Sequence, residues 1–133
     1  MSVVLDTHAW VWWIEGDNRL GRKTLRALDE LPESERPIVC DVSIWEIATL
    51  LALGRWNCEL PFESWLEKAT HSRTVSVVPI TAVVGVELTR LPADLHKDPA
   101  DRIIISTART LKLPLLTLDR RILASRLTKR WAT

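Results

Sequence analysis

The sequence predicts an α/β fold, a parallel sheet with helices on both faces, and three observations carry that expectation. Short apolar runs, Val3-Val4-Leu5, Ile38-Val39-Cys40, Thr74 to Val78 and Leu115 to Leu118, recur along the chain, as strands covered on both faces require. Between them lie longer segments whose apolar residues return at helical spacing. Gly16, Pro32, Gly54, Pro79 and Pro92 stand at the junctions, where they stop one element before the next begins. Strands alternating with helices build a parallel sheet through right-handed crossovers.

The first strand runs straight into Asp6 and Thr7. Chemistry in open α/β sheets gathers at the carboxyl ends of strands, and Asp6 stands at such an end. Taken alone, it reads better as the cap of a helix beginning near His8. Ala9 to Glu15 forms a short helix interrupted by Gly16-Asp17-Asn18. Leu20, Thr24, Leu25, Leu28 and Leu31 then share one helical face as far as Pro32. After a polar loop, Ile38-Val39-Cys40 is the second strand, and Ser43 opens a helix that runs through Leu53 to Gly54. Phe62, Trp65, Leu66 and Ala69 mark a helix between Pro61 and His71.

Thr74 to Val78 is the third strand, ended by Pro79. Helices over 81–91 and 99–111 follow, the second opened by Asp98 with Pro99 at its first position. Two successive helices before the fourth strand need a return path. Pro92 to Asp98 extended spans roughly 23 Å, more than the roughly 16 Å length of the first helix. Leu115 to Leu118 is the fourth strand, Asp119 opens a basic helix to about Leu127, and a short fifth strand near the end would bring the sheet from four strands to five.

A chain of 133 residues suffices for a single domain, 1–133, with its own core. A formal charge of +1 excludes a whole-molecule basic field, so any polyanion site is local. No apolar run approaches the ~20 residues of a membrane span, and no signal-like segment opens the sequence. The expectation is a cytoplasmic protein without a membrane partner. Cys40 and Cys58 lack zinc-site spacing and read as packing residues. Seven Trp stand against one Phe and no Tyr. Trp10, Trp12 and Trp13 crowd one short helix, and with Trp56 and Trp65 they predict an apolar surface that a partner covers.

The acids carry the chemistry. Asp6 ends the first strand, Glu46 follows the second, Asp101 lies in the first turn of the helix before the fourth, and Asp119 follows the fourth directly. In a parallel α/β sheet these places share one edge. Each acid alone has a structural explanation: Ser43-Ile44-Trp45-Glu46 fits a capping box, Asp98-Pro99-Ala100-Asp101 resembles one, and Asp119 fits an N-cap. Caps do not explain convergence, because crowded like charges raise one another's pKa unless a cation neutralises them. Oxygen ligands suit Mg²⁺ or Mn²⁺, and such a site binds phosphate oxygens and activates water for in-line attack. Arg102, Arg120, Arg121, Arg126, Lys129 and Arg130 flank the acids as a phosphate track requires, although a solvated basic helix face would look the same.

The set Leu5-Asp6-Thr7-His8-Ala9, Ser43 to Ala48, His96 to Arg102 and Leu116-Thr117-Leu118-Asp119 resembles the PIN-domain ribonucleases, specifically the VapC toxins of toxin–antitoxin pairs. The resemblance spans essentially the whole chain. It implies a parallel sheet in the order 3-2-1-4-5, a Mg²⁺ or Mn²⁺ site, endonucleolytic cleavage of RNA, a homodimer, and neutralisation by a small antitoxin. Carried over by position, Asp6, Glu46, Asp101 and Asp119 are the catalytic, metal-holding acids. Asp98 is an acid that some relatives share, Thr7 and Thr117 are supporting hydroxyls, and Arg102, Arg120 and Arg121 are RNA contacts. Two departures stand out: Thr49-Leu50 occupies a region where relatives often carry Lys, and relatives alternate between Asn and Asp at the position of Asp119. A receiver domain would carry a Lys after its last strand, where this chain has Asp119. A non-enzymatic interaction module, with its acids only capping helices, would show no specific affinity for Mg²⁺ or Mn²⁺.

Overall fold

The computed structural model describes residues 1–95 and 98–131. His96 and Lys97, part of the third motif, lie outside the described residues, as do the last two residues. Strands β1 (Val4–Leu5), β2 (Ile38–Cys40), β3 (Ser76–Val78) and β4 (Leu115–Leu116) form a parallel sheet in the order β3-β2-β1-β4. β1 is an inner strand, with Val4 against both Ile38 and Leu115, and Leu5 against both Val39 and Leu116. Of the expected fifth strand, one parallel bridge from Leu115 to Arg130 is present among the described residues. The segment before it, Arg126-Leu127-Thr128-Lys129, has no alternating apolar pattern to hold a longer register.

Helices cover both faces: α1 (Thr7–Glu15), α2 (Arg22–Asp29), α3 (Val42–Ala52), α4 (Phe62–Ala69), α5 (Ala82–Thr89), α6 (Pro99–Leu111) and α7 (Arg120–Ser125). Side chains alternate along a strand, so Val3, Leu5, Val39 and Leu116 face one core with Trp10, Leu28, Ile47 and Trp65. Val4, Cys40 and Leu115 face the other with Ile104, Ile105, Ala108 and Ile122. Leu5, Ile104 and Ile122 are almost completely buried, and truncating any of them to Ala costs about 2–5 kcal/mol.

Several element starts differ from the sequence reading. α1 begins at Thr7 because Asp6 caps it. α3 begins at Val42 after Asp41, which makes no side-chain capping bond. The expected capping box of Ser43 and Glu46 does not form. Ser43 is buried inside the helix, and its hydroxyl bonds that of Thr7 at 2.9 Å. α6 starts where proline at its first position indicated. The indoles divide: Trp10 and Trp65 are buried and pack edge to face at 5.3 Å, with Trp56 5.0 Å from Trp65. Trp12, Trp13, Trp56 and Trp131 border the same core, whereas Trp45 is 58% exposed. Much of the expected indole surface is therefore core.

Candidate active site

β1 ends one residue before Asp6, and the chain turns there into α1. Asp6 Oδ1 accepts the Ala9 backbone N–H at 2.8 Å, satisfying a donor that the helix start leaves open. Its Oδ2 accepts the Thr117 hydroxyl at 2.5 Å, and Thr117 also accepts the Asp119 N–H at 3.0 Å. One hydroxyl just beyond β4 thus ties two of the acids together. Asp6 is 6% exposed. Burial pushes its carboxyl above the ordinary value, while the bonds from Thr117 and Ala9 and the charge of His8 pull it back.

Glu46 lies one turn into α3, beside Thr7. Burial pushes its carboxyl up as well; the Thr7 hydroxyl and His8 act against the rise, and the charges of Asp98 and Asp6 add to it. Its buried Oε1 has no hydrogen-bond partner among the described residues. Asp98 caps α6, its Oδ1 accepting from Ala100 N at 2.9 Å and Asp101 N at 3.3 Å. Asp119 caps α7, accepting from Arg121 N at 2.8 Å and Ile122 N at 3.3 Å.

The capping explanation therefore holds for Asp6, Asp98 and Asp119 individually and fails for Glu46. Convergence holds for all of them. Asp6, Glu46, Asp98, Asp101 and Asp119 line one open cleft of about 430 Å³ at the carboxyl edge of the sheet, together with His8, Trp12 and Arg121. Thr7 and Thr117 are buried behind it. Arg121 is the expected RNA contact that lines this cleft; Arg102 instead donates to the Pro92 carbonyl at 3.3 Å, and Arg120 is exposed on α7. The sequence reading assigned no role in the site to His8 and Trp12. Their signal was the four-residue spacing that puts both on one face of the helix Asp6 caps.

The PIN domain family matches residues 3–127. This chain belongs to the PIN-domain family. A relative, Ribonuclease VapC22 of Mycobacterium tuberculosis, is 35% identical and aligns over 94% of this chain and 92% of its own length. Among solved structures, VapBC2 from Rickettsia felis bound to a DNA fragment from its promoter superposes with a TM-score of 0.74 at 15% identity, covering 98% of both chains. A toxin–antitoxin complex from Klebsiella pneumoniae gives 0.62 at 19% identity, over 94% of this chain and 92% of that one. These two likenesses concern the fold: a four-stranded PIN-like sheet with helices on both sides.

A divalent ion fits the donors of this PIN domain in kind. Carboxylate oxygens suit Mg²⁺ and Mn²⁺, and the unpartnered Oε1 of Glu46 and the buried carboxyl of Asp6 are groups that a cation would compensate. Among the described residues no three acids are drawn together as a finished ligand set. Mg²⁺ does not require one, since it is commonly held by one or two carboxylates and completes its shell with water and phosphate oxygens.

Proposed function

We propose that this PIN domain is an endoribonuclease dependent on Mg²⁺ or Mn²⁺, acting in the cytoplasm as the toxin of a toxin–antitoxin pair. The observation that carries the reading is the cleft itself, where acids from remote stretches of one domain, 1–133, share a single opening. Similarity to a relative named a ribonuclease supports RNA as the substrate. Asp6 and Asp101 are the principal ligands, and Glu46 and Asp119 bind the ion directly or through water, with Asp98 adding negative charge from the cap. Once bound, the ion would polarise the phosphodiester and acidify a water for in-line attack.

The chain's own residues do the rest. Thr117 and the Ala9 N–H fix both oxygens of Asp6, so that carboxylate is oriented before substrate arrives. Thr7, held by Ser43, stands beside Glu46 in the same way. Arg121 lines the cleft and supplies a cation for a backbone phosphate. We propose a small antitoxin and a second copy of the chain as partners. Trp45 and Leu53 at α3, and Val83 and Val86 at α5, are more than half exposed and supply apolar area for such contacts.

Incubation of the purified protein with mixed RNA in Mg²⁺, Mn²⁺ or EDTA, alongside Asp6→Asn, tests the reading. Cleavage should occur with either ion and be absent with EDTA and with the variant. Cleavage that persists in EDTA would falsify the metal-dependent mechanism. Light scattering, alone and after co-expression with the adjacent small open reading frame, tests the assembly; a monomer that forms no complex would refute it.

A further inference from the structure

We propose that His8 and Trp12 form an aromatic platform on which the protein stacks one unpaired nucleobase of the RNA beside the scissile phosphate. The inference rests on the endoribonuclease reading and assigns that site a base-recognising wall. Both residues line the acidic cleft. They lie four apart on α1, and their rings meet at 5.7 Å between centroids with a tilt of 52°. His8 is exposed and Trp12 half-buried, so the imidazole is the outer ring and the indole its backing.

The backing is itself held. The Arg19 guanidinium lies 4.9 Å from the centroid of the Trp12 ring, and Asp17 Oδ2 accepts from Arg19 Nη2 at 2.7 Å and Nε at 3.1 Å. A ring fixed in this way loses little freedom when a base settles on it. Two further features favour a nucleobase over an apolar peptide as the occupant. Apart from Leu118, the rest of the cleft lining is five carboxylates and Arg121, which suits a phosphate bridged by a cation better than a run of apolar side chains. Unpaired RNA bases are also recognised on aromatic and His side chains as a rule.

The test compares two fluorescein-labelled decamers, oligo(A) and a ribose-phosphate chain without bases, by anisotropy in Ca²⁺, with the RNA verified intact afterwards. Wild type should bind oligo(A) more tightly than the base-free chain. His8→Ala and Trp12→Ala should each weaken oligo(A) binding about 5- to 150-fold, the ratio that corresponds to a stack of ~1–3 kcal/mol at ~1.4 kcal/mol per tenfold. Trp12→Ala should leave base-free binding unchanged, and His8→Ala should weaken it less than it weakens oligo(A) binding. His8→Phe keeps a ring and should retain the wild-type preference.

The platform is overturned if wild type shows no preference for the base-bearing chain, if His8→Ala binds both decamers as wild type does, if it weakens both equally, or if His8→Phe behaves as His8→Ala. It is also overturned if the variants keep RNA binding and weaken only the complex with the antitoxin, since the surface then serves a protein. His8 is exposed, so its variants keep the test decisive even if Trp12→Ala misfolds. Absence of cleavage by wild type in Mg²⁺ and Mn²⁺ counts against the nuclease reading, whereas a wild type that cleaves RNA but shows no preference for the base-bearing decamer counts against the platform alone.

Discussion

The Thr117 hydroxyl donates to Asp6 Oδ2 at 2.5 Å across 111 residues of sequence, and Thr117 Oγ1 in turn accepts the Asp119 N–H at 3.0 Å. The parallel pairing of β1 with β4 brings them together: Leu5 lies opposite Leu116, so the next residue of each strand meets at the sheet edge. A side chain without charge thereby sets the geometry of two acids.

Thr117→Val keeps the shape and removes this donor. An isolated acceptor in a buried place costs about 1–3 kcal/mol, and Asp6 would carry that cost by holding its proton more tightly. The expected outcome is a kcat roughly 10- to 100-fold lower with little change in KM, a loss of about 1–3 kcal/mol in urea unfolding, and recovery of both with Thr117→Ser. Equal activity of the Val and Thr proteins would show that the Ala9 N–H alone positions Asp6.

The pH dependence of the metal-free protein follows from the burial of Asp6 and Glu46. Both carboxyls are raised, from ordinary values of 3.8 and 4.5, chiefly by burial. An acid raised in this way binds its proton more tightly when folded, so the native state holds more protons than the unfolded chain and stability falls with rising pH. The contribution is fully present below the ordinary values and is lost as pH climbs through the raised ones. In EDTA, Asp6→Asn should therefore gain on wild type in Tm as pH rises from about 4 towards neutrality, because Asn still caps the helix and does not ionise. Mn²⁺ should then raise the Tm of wild type and barely that of the variant. Parallel Tm curves in EDTA would mean that burial of Asp6 carries no charge penalty.

The sequence made β2, the start of α6 and the shared edge of the acids legible, because each rests on local chemistry: a β-branched run, Asp-Pro at a helix start, and the geometry of a parallel sheet. It misled at α3. Ser43-x-x-Glu46 satisfies the local pattern for a cap, but Ser43 is buried and bonded to Thr7, a tertiary contact no local pattern encodes. The same limit applies to Thr117, whose partner is 111 residues distant. The fifth strand shrank to the Leu115–Arg130 bridge because its basic segment offers no face to bury. The pairing of His8 with Trp12 was missed because the helix was expected from Ala9, whereas α1 begins at Thr7 and its place at the strand edge puts both beside the acids.

The two acids of Asp98-Pro99-Ala100-Asp101 should separate by function. Pro99 is the first residue of α6 and Asp98 is its cap, accepting two backbone N–H groups through one oxygen. Asp101 sits in the first turn and lines the cleft. Asp98→Ala should cost ~1 kcal/mol as a lost cap and lower activity only partly, through a displaced helix start. Asp98→Asn, which caps as well, should recover that stability. Asp101→Ala should remove most cleavage and weaken Mn²⁺ binding measured by calorimetry. In EDTA its stability should change little, because deleting one carboxylate from a crowded acidic cleft relieves repulsion as it removes a favourable charge near the positive end of the helix. If Asp98→Ala instead abolishes Mn²⁺ binding while Asp101→Ala leaves it unchanged, the roles are reversed: Asp98 holds the ion in addition to capping, and Asp101 only lines the cleft.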